Sequence, residues 1–359
     1  MTPSLFTPLQ LRETTARNRV MVSPMCQYST ADGVATDWHQ VHLGSRAVGG
    51  AGVVMTEATA VEPRGRITPH DLGIWSQEHA DALAPITEFI RSQGSVPAIQ
   101  LAHAGRKASK TRPWDGSEPL QPDEGGWETV APSAEPYPYD DEPPRQRAMT
   151  ADDIEDVTES FVEAAERARD AGFEIAEVHA AHGYLLHEFL SPVTNDRDDE
   201  YGGSFENRTR LVREVTAAVR AVWPDDKPVF VRISATDWLP GRESWDIDQS
   251  VRLAPLLAEA GADLVDVSAG GIHPGQEIPN AGPGYQIPYA ETIKENTDIA
   301  VGAVGGITTG EQADQLIRND RADLAIVGRE HLRDPYFALH AAHELGVDVD
   351  VPAQYRRGF

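Results

Sequence analysis

Eight short apolar runs, each separated from the next by room for a helix, constrain this chain more than any other feature of its sequence. They fall at residues 20–25, 52–57, 96–102, 173–178, 229–233, 264–267, 300–304 and 324–327. Between them lie amphipathic stretches at 77–92, 151–171, 205–222, 247–260 and 310–318, several closed by glycine or aspartate. Strand-sized runs alternating with helix-sized ones predict an α/β chain with a parallel sheet, and eight such units predict a (β/α)8 TIM barrel. A doubly wound open sheet is the alternative, but no GxGxxG turn opens the first unit. At 359 residues, one barrel domain over 1–359 accounts for the chain.

Residues 1–19 precede the first run and contain LFTPLQL, read as a hairpin or strap across the barrel floor. Two connections are long. One covers 111–150, with prolines, acids, Trp114 and Trp127, and the other covers 270–289. They follow the third and sixth strands, so both are expected to rise as lids over the face where barrel active sites are built. For the centre of the first, a solvated acidic insertion is the alternative.

Lysine and arginine total 31 against 57 acids, a net charge of −26. That balance makes nucleic acid and anionic membrane surfaces poor partners. Only four of the cations are lysines, Lys107, Lys110, Lys227 and Lys294. An acidic, lysine-poor surface suits high salt, where screening relieves self-repulsion. Cys26 is the sole cysteine, which excludes an intrachain disulfide and a four-thiolate iron–sulfur cluster. The first residues lack a basic region followed by an apolar run, and no stretch has membrane-spanning length, so a cytoplasmic protein is expected.

Chemistry concentrates at the fourth run. His179, His182 and Tyr184 put two imidazoles and a phenol within six residues, directly after 173–178. Donors gathered at a strand end can hold an oxygen on which negative charge develops, and a phenol protonated at neutral pH can supply a proton. The histidines alone would also fit half a metal site, or core imidazoles satisfied by backbone. Downstream of Tyr184 runs a long, polar, turn-rich loop with Ser191-Pro192, Asn195, Arg197, Tyr201-Gly202-Gly203 and Glu206-Asn207-Arg208. Together with SPMCQY at 23–28, this stretch closely resembles the signature of the Old Yellow Enzyme family of FMN-dependent ene-reductases, in its bacterial, thermophilic-like class. The resemblance runs from LFTPLQL to QYRRGF and departs from the pattern in the acidic insertion and at Phe359.

The resemblance implies a flavin at the barrel mouth and gives each strand end a role. Ser23, Pro24, Met25 and Cys26 end the first strand, with the thiol tuning the flavin's potential and Tyr28 bordering the substrate. Ala58, after the second, is small enough to meet the ring edge. Gln100, on the third, has an amide with both donor and acceptor to read the ring's pyrimidine edge. Lys107 comes next, with its role open. Arg232 is a charge inside VFVRIS. A buried unpaired guanidinium is costly, so an anionic partner is expected, and the resemblance implies the flavin N1–C2=O edge. A barrel carboxylate such as Asp266 is the alternative. Gly305-Gly306 and Gly328-Arg329 end the seventh and eighth strands, the usual phosphate site of such barrels, and a single cradle implies FMN rather than FAD. Arg357 resembles a tail arginine that enters a neighbouring subunit's site, which implies a homo-oligomer with shared sites.

The expected activity is transfer of hydride from NADH or NADPH through FMN to an electron-poor alkene. His179 and His182 would hold the substrate's carbonyl or nitro oxygen and Tyr184 would protonate the α-carbon. No metal is expected. Alternatives from other classes are a flavin-free aldolase or isomerase using Lys107 or a histidine-bound metal, and a non-catalytic flavin-binding protein. The larger dienoyl-CoA reductase architecture is excluded by one cysteine and 359 residues.

Overall fold

The structure, a computed structural model, describes residues 4–358, so Phe359 lies outside the described residues. An antiparallel hairpin, β1 (Leu9–Leu11) and β2 (Thr14–Ala16), comes first. Next are three barrel strands, β3 (Val20–Val22), β4 (Val53–Ala60) and β5 (Val96–Ala102). Inside the long loop after β5, β6 (Thr129–Ala131) and β7 (Gln146–Ala148) pair with each other. The barrel resumes with β8 (Ile175–Ala180), β9 (Val229–Ser234), β10 (Leu264–Ser268), β11 (Ala300–Val304) and β12 (Leu324–Val327). Each barrel strand pairs in parallel with its successor in this order, and β12 returns to β3, closing a (β/α)8 TIM barrel.

The helices are α1 (Asp37–Val48), α2 (Gln77–Ser92), α3 (Ala151–Asp170), α4 (Leu185–Leu190), α5 (Phe205–Arg208) and α6 (Arg210–Val222). They continue with α7 (Ile247–Glu259), α8 (Ile287–Asn296), α9 (Gly310–Arg318), α10 (Arg329–Arg333) and α11 (Phe337–Glu344). In α3 the buried face Ile154, Val157, Phe161, Ala164, Ala168 has helical spacing. Its start is fixed by a capping box in which Thr150 Oγ1 accepts from Asp153 N at 3.2 Å while Asp153 Oδ2 accepts from Thr150 N at 2.9 Å. Among the described residues, no helix is long and apolar enough to cross a membrane.

Alternation along the strands positions the site. Val229, Val231 and Ile233 of β9 pack outward in the main core with Val265 and Val267 of β10 and Ala176, Val178 and Ala180 of β8. Of the inward residues, the lower ones are apolar. Ile175, Phe230 and Leu264 join Met21, Val53 and Val96 in a plug to which the hairpin adds Leu9 and Ala16, so the hairpin seals the floor. Burial of each such aliphatic side chain is worth roughly 1.5–3 kcal/mol. The next inward positions up the same strands are Glu177, His179, Arg232, Ser234, Asp266 and Ser268, all buried. The barrel is thus greasy at its base and polar at its mouth.

The expected boundaries need four corrections. β3 stops at Val22, because Pro24 has no N–H to extend the ladder, although Ser23 N still donates to Val327 O at 3.0 Å. β4 runs on through Ala58 to Ala60, with a register shift against β5 between Met55 and Ala58. His179 lies within β8 rather than after it. The helix expected over 205–222 is divided at Thr209 into α5 and α6. The 111–150 loop is packed at its flanks, where Thr129–Ala131 is buried, and mostly exposed around 134–145. It reaches the catalytic face, with the Trp114 ring 5.8 Å from Tyr28 and the Lys107 ammonium 5.5 Å from the Tyr137 ring.

Candidate active site

Beyond β8 the backbone turns sharply. His182 and Gly183 take successive left-handed conformations, φ 61° and 70°, which for a histidine costs roughly 1–2 kcal/mol. Three hydrogen bonds hold the turn: His182 N donates to Ser234 Oγ (2.9 Å), Gly183 N donates to His187 Nδ1 (2.8 Å), and Lys107 Nζ donates to His182 O (2.7 Å). A Cβ on Gly183 would lie 2.2 Å from Gly271 O, so the loop after β10 packs backbone to backbone on this turn. Lys107 Nζ also donates to Gly271 O at 2.9 Å, tying the two loops together. That is the part of Lys107 that sequence left open.

The turn gathers the expected trio around one ring. The His179 ring centroid lies 5.2 Å from that of His182 and 5.2 Å from that of Tyr184. Burial first, then Arg232, drives both imidazoles well below their usual pKa, so they remain neutral. Burial pushes the Tyr184 phenol well above its usual value, so it keeps its proton. Buried His179 Nδ1 has no hydrogen-bond partner among the described residues. Lys107 lies 4.9 Å from the Tyr184 ring and burial lowers its pKa to about 7.

A cleft of about 740 Å³ opens beside the trio, at the C-terminal ends of the strands. Met25, His182, Arg232, Gly305, Gly306, Gly328 and Arg329 line it, together with Gln276–Gln286 residues of the loop after β10. Gly305 and Gly306 have φ of 141° and 67°, and a Cβ on Gly305 would stand 2.9 Å from Gln286 Cβ. Only glycine suits a backbone that passes this close, and backbone amides at such a strand end can approach an anion. The glycines, the Arg232 guanidinium and the His182 imidazole that line this cleft fit a flavin mononucleotide.

The remaining expected residues divide. Cys26 and Tyr28 pack with Tyr184 against Ile67, Ala104 and Ala108, and Ala58 shares a cavity of about 10 Å³ with Tyr184 and Asp71. Burial, then Glu57, raises the Cys26 thiol's pKa, so it stays protonated and is no nucleophile. Ser23 Oγ accepts from Arg232 at 3.4 Å. Gln100 is fully within the barrel, and its amide nitrogen donates to Glu177 Oε1 at 2.7 Å. Arg232 has the carboxylate partner that sequence offered as the alternative, its Nε lying 3.2 Å from Asp266 Oδ2, and it faces the cleft as well. Arg357 is exposed in the tail and does not line its own chain's cleft. Sequence reasoning missed Glu177, whose signal was an acid at the inward position before His179, and Trp238, whose Nε1 donates to Tyr289 Oη at 2.7 Å in the cleft wall.

Residues 4–347 match the model of the NADH:flavin oxidoreductase / NADH oxidase family. The chain belongs to this family. An NADPH dehydrogenase of Geobacillus sp. (strain WCH70) is 46% identical over 361 residues, covering 100% of this chain and 99% of that protein. Among solved structures, morphinone reductase in complex with tetrahydroNAD superposes with TM-score 0.78 at 28% identity, over 98% of this chain and 93% of that one. An old yellow enzyme homologue from Zymomonas mobilis gives TM-score 0.78 at 27% identity, over 97% and 94%. As a member of the NADH:flavin oxidoreductase family this chain is an NAD(P)H-dependent oxidoreductase of the Old Yellow Enzyme type with FMN as cofactor. Gly305, Gly306, Gly328, Arg329 and Arg232 all line the one cleft at the barrel mouth, where they would hold such a cofactor.

Proposed function

We propose that this flavoprotein reduces activated C=C bonds, such as those of enones, nitroalkenes, maleimides and quinones, at the expense of NADPH or NADH. When bound, FMN supplies the hydride from N5. His179 and His182, kept neutral by burial, hold the acceptor's carbonyl or nitro oxygen by hydrogen bonds and stabilise the charge that develops there. Tyr184, kept protonated, gives its proton to the α-carbon. Tyr28, with Trp114 at its edge, borders the acceptor, and the loops after β5 and β10 exclude water. Cys26 stays a thiol and acts on the cofactor through a weak S–H contact, alongside Ser23, Pro24, Met25, Ala58 and Gln100.

The observation that carries this reading is the convergence of the neutral His182 imidazole and the protonated Tyr184 phenol on the neutral ring of His179, next to a glycine-lined cleft. The working unit is one barrel domain, 1–359, in a cytoplasmic homo-oligomer whose exposed Arg357 completes a neighbour's site. Anaerobic titration tests the core of it. NADPH should bleach the bound flavin and cyclohexenone should restore the colour. A flavin that NADPH reduces but no electron-poor alkene reoxidises would leave a plain dehydrogenase.

A further inference from the structure

Glu177 and Asp266 meet inside the barrel, Glu177 one inward position below His179 on β8, and each is fully buried. The register explains why. Glu177 lies opposite Gln100 of β5 and Phe230 of β9, and Asp266 lies opposite Arg232 of β9, so period-two alternation turns all the polar members inward together. One Glu177 oxygen is satisfied by Gln100 and Asp266 has Arg232 at 3.2 Å. Yet among the described residues Glu177 Oε2 and both Asp266 oxygens receive no donor hydrogen, and the two carboxyls are within hydrogen-bond reach of each other. These facing atoms are all acceptors. Two buried carboxylates beside one guanidinium cannot both stay ionised, and one proton between them supplies the missing hydrogen bond.

The surroundings offer no other remedy. From β5 the pair faces the uncharged Gln100, and from β8 it faces His179, which burial keeps neutral. β9 contributes Arg232, Ala58 of β4 lies opposite Gln100, and Gly302 of β11 lies opposite Asp266. Consistent with this, burial holds Glu177 up at about 8 and Asp266 at about 6.

We propose that Glu177 and Asp266 share a single proton at neutral pH and, through Arg232, couple proton uptake to reduction of the flavin. The inference rests on the reading that places the cofactor against Arg232. In neutral solution, reduction takes two electrons and one proton, both delivered to the flavin, and the pair keeps its own proton throughout. In alkaline solution the oxidised protein has released that proton. Negative charge gained on reduction draws Arg232's field to the cofactor, the pair becomes a stronger base, and one proton from solvent returns to it, so two electrons are accompanied by two protons.

The test is the midpoint potential of the FMN-loaded protein between pH 6 and 10, for wild type, Glu177→Gln and Asp266→Asn. One proton per two electrons gives about 30 mV per pH unit and two protons about 60 mV. Wild type should double its slope above pH of about 8. Each variant leaves one carboxylate facing Arg232, ionised across the range, and should hold the shallower slope throughout. A straight wild-type plot, or an unchanged break in either variant, overturns the proposal, and if one variant does not fold the other decides. Failure of the flavin to bind at all would instead sink the placement of the cofactor.

Discussion

His182 Nε2 lies 2.7 Å from Ser268 Oγ. Because burial keeps the imidazole neutral, that contact decides which nitrogen carries its proton. If the serine hydroxyl donates to Nε2, Nδ1 bears hydrogen and can donate to a substrate oxygen. The tautomer of His182 is thereby tied to the direction of its hydrogen bond with Ser268, a residue of β10.

Ser268→Ala should free the ring to change tautomer. A net hydrogen bond is worth about 1 kcal/mol, so affinity for a phenolic ligand, read from its charge-transfer band with the flavin, should fall by about 5-fold. An unchanged band would show that Ser268 does not orient His182.

Tyr184→Phe removes the phenol hydroxyl of the ring that adjoins His179 at 5.2 Å. Reoxidation by cyclohexenone should slow by about 10²-fold or more, while reduction by NADPH stays fast. Stopped-flow separation of the half-reactions checks this, and equal slowing of both would remove Tyr184 as donor.

Gly183→Ala puts a methyl where the nearest atom, Gly271 O, is 2.2 Å away, at a φ of 70°. The turn carrying His182 has to open, at a cost of about 2 kcal/mol or more, and chemical denaturation should register it. A midpoint within error of wild type would mean that the two loops are not packed as described.

Glu188, fully buried, accepts from Arg106 N at 2.9 Å, and burial raises its pKa to about 8 from an ordinary 4.5. Between those values the folded chain holds a proton that the unfolded chain has lost, so this group's contribution to stability is full below 4.5 and falls as pH rises to about 8. Glu188→Gln should flatten that part of the profile of melting temperature against pH. A variant profile parallel to wild type would assign the slope elsewhere.

With −26 net charge and four lysines, the protein should gain melting temperature and activity as salt is added. An optimum without added salt would argue against adaptation to high ionic strength.

Much of this was legible in the sequence because it is local. A parallel strand buried on both faces is an apolar run, so the eight strands stood out. Arg232, a charge inside such a run, pointed inward because a buried charge needs a partner, and His179 stood directly after another run, where donors gather at a strand end. Gly305-Gly306 read as an anion cradle for the same reason that no Cβ fits at Gly305. The role of Lys107 was not legible, since its partners are carbonyls 75 and 164 residues away, which carry no side-chain signal. Nor was the use of Gln100's amide on Glu177, 77 residues on.

The sequence alone determined the barrel, its polar mouth and the chemistry of the candidate groups there, because strand periodicity and residue chemistry are properties of single segments. Tertiary structure decided which groups touch. Register between strands set Glu177 against Asp266, and a left-handed turn braced by a distant lysine drew His182 and Tyr184 around His179. Those contacts depend on closure of the sheet, and the closed ring of strands exists only once all eight are assembled.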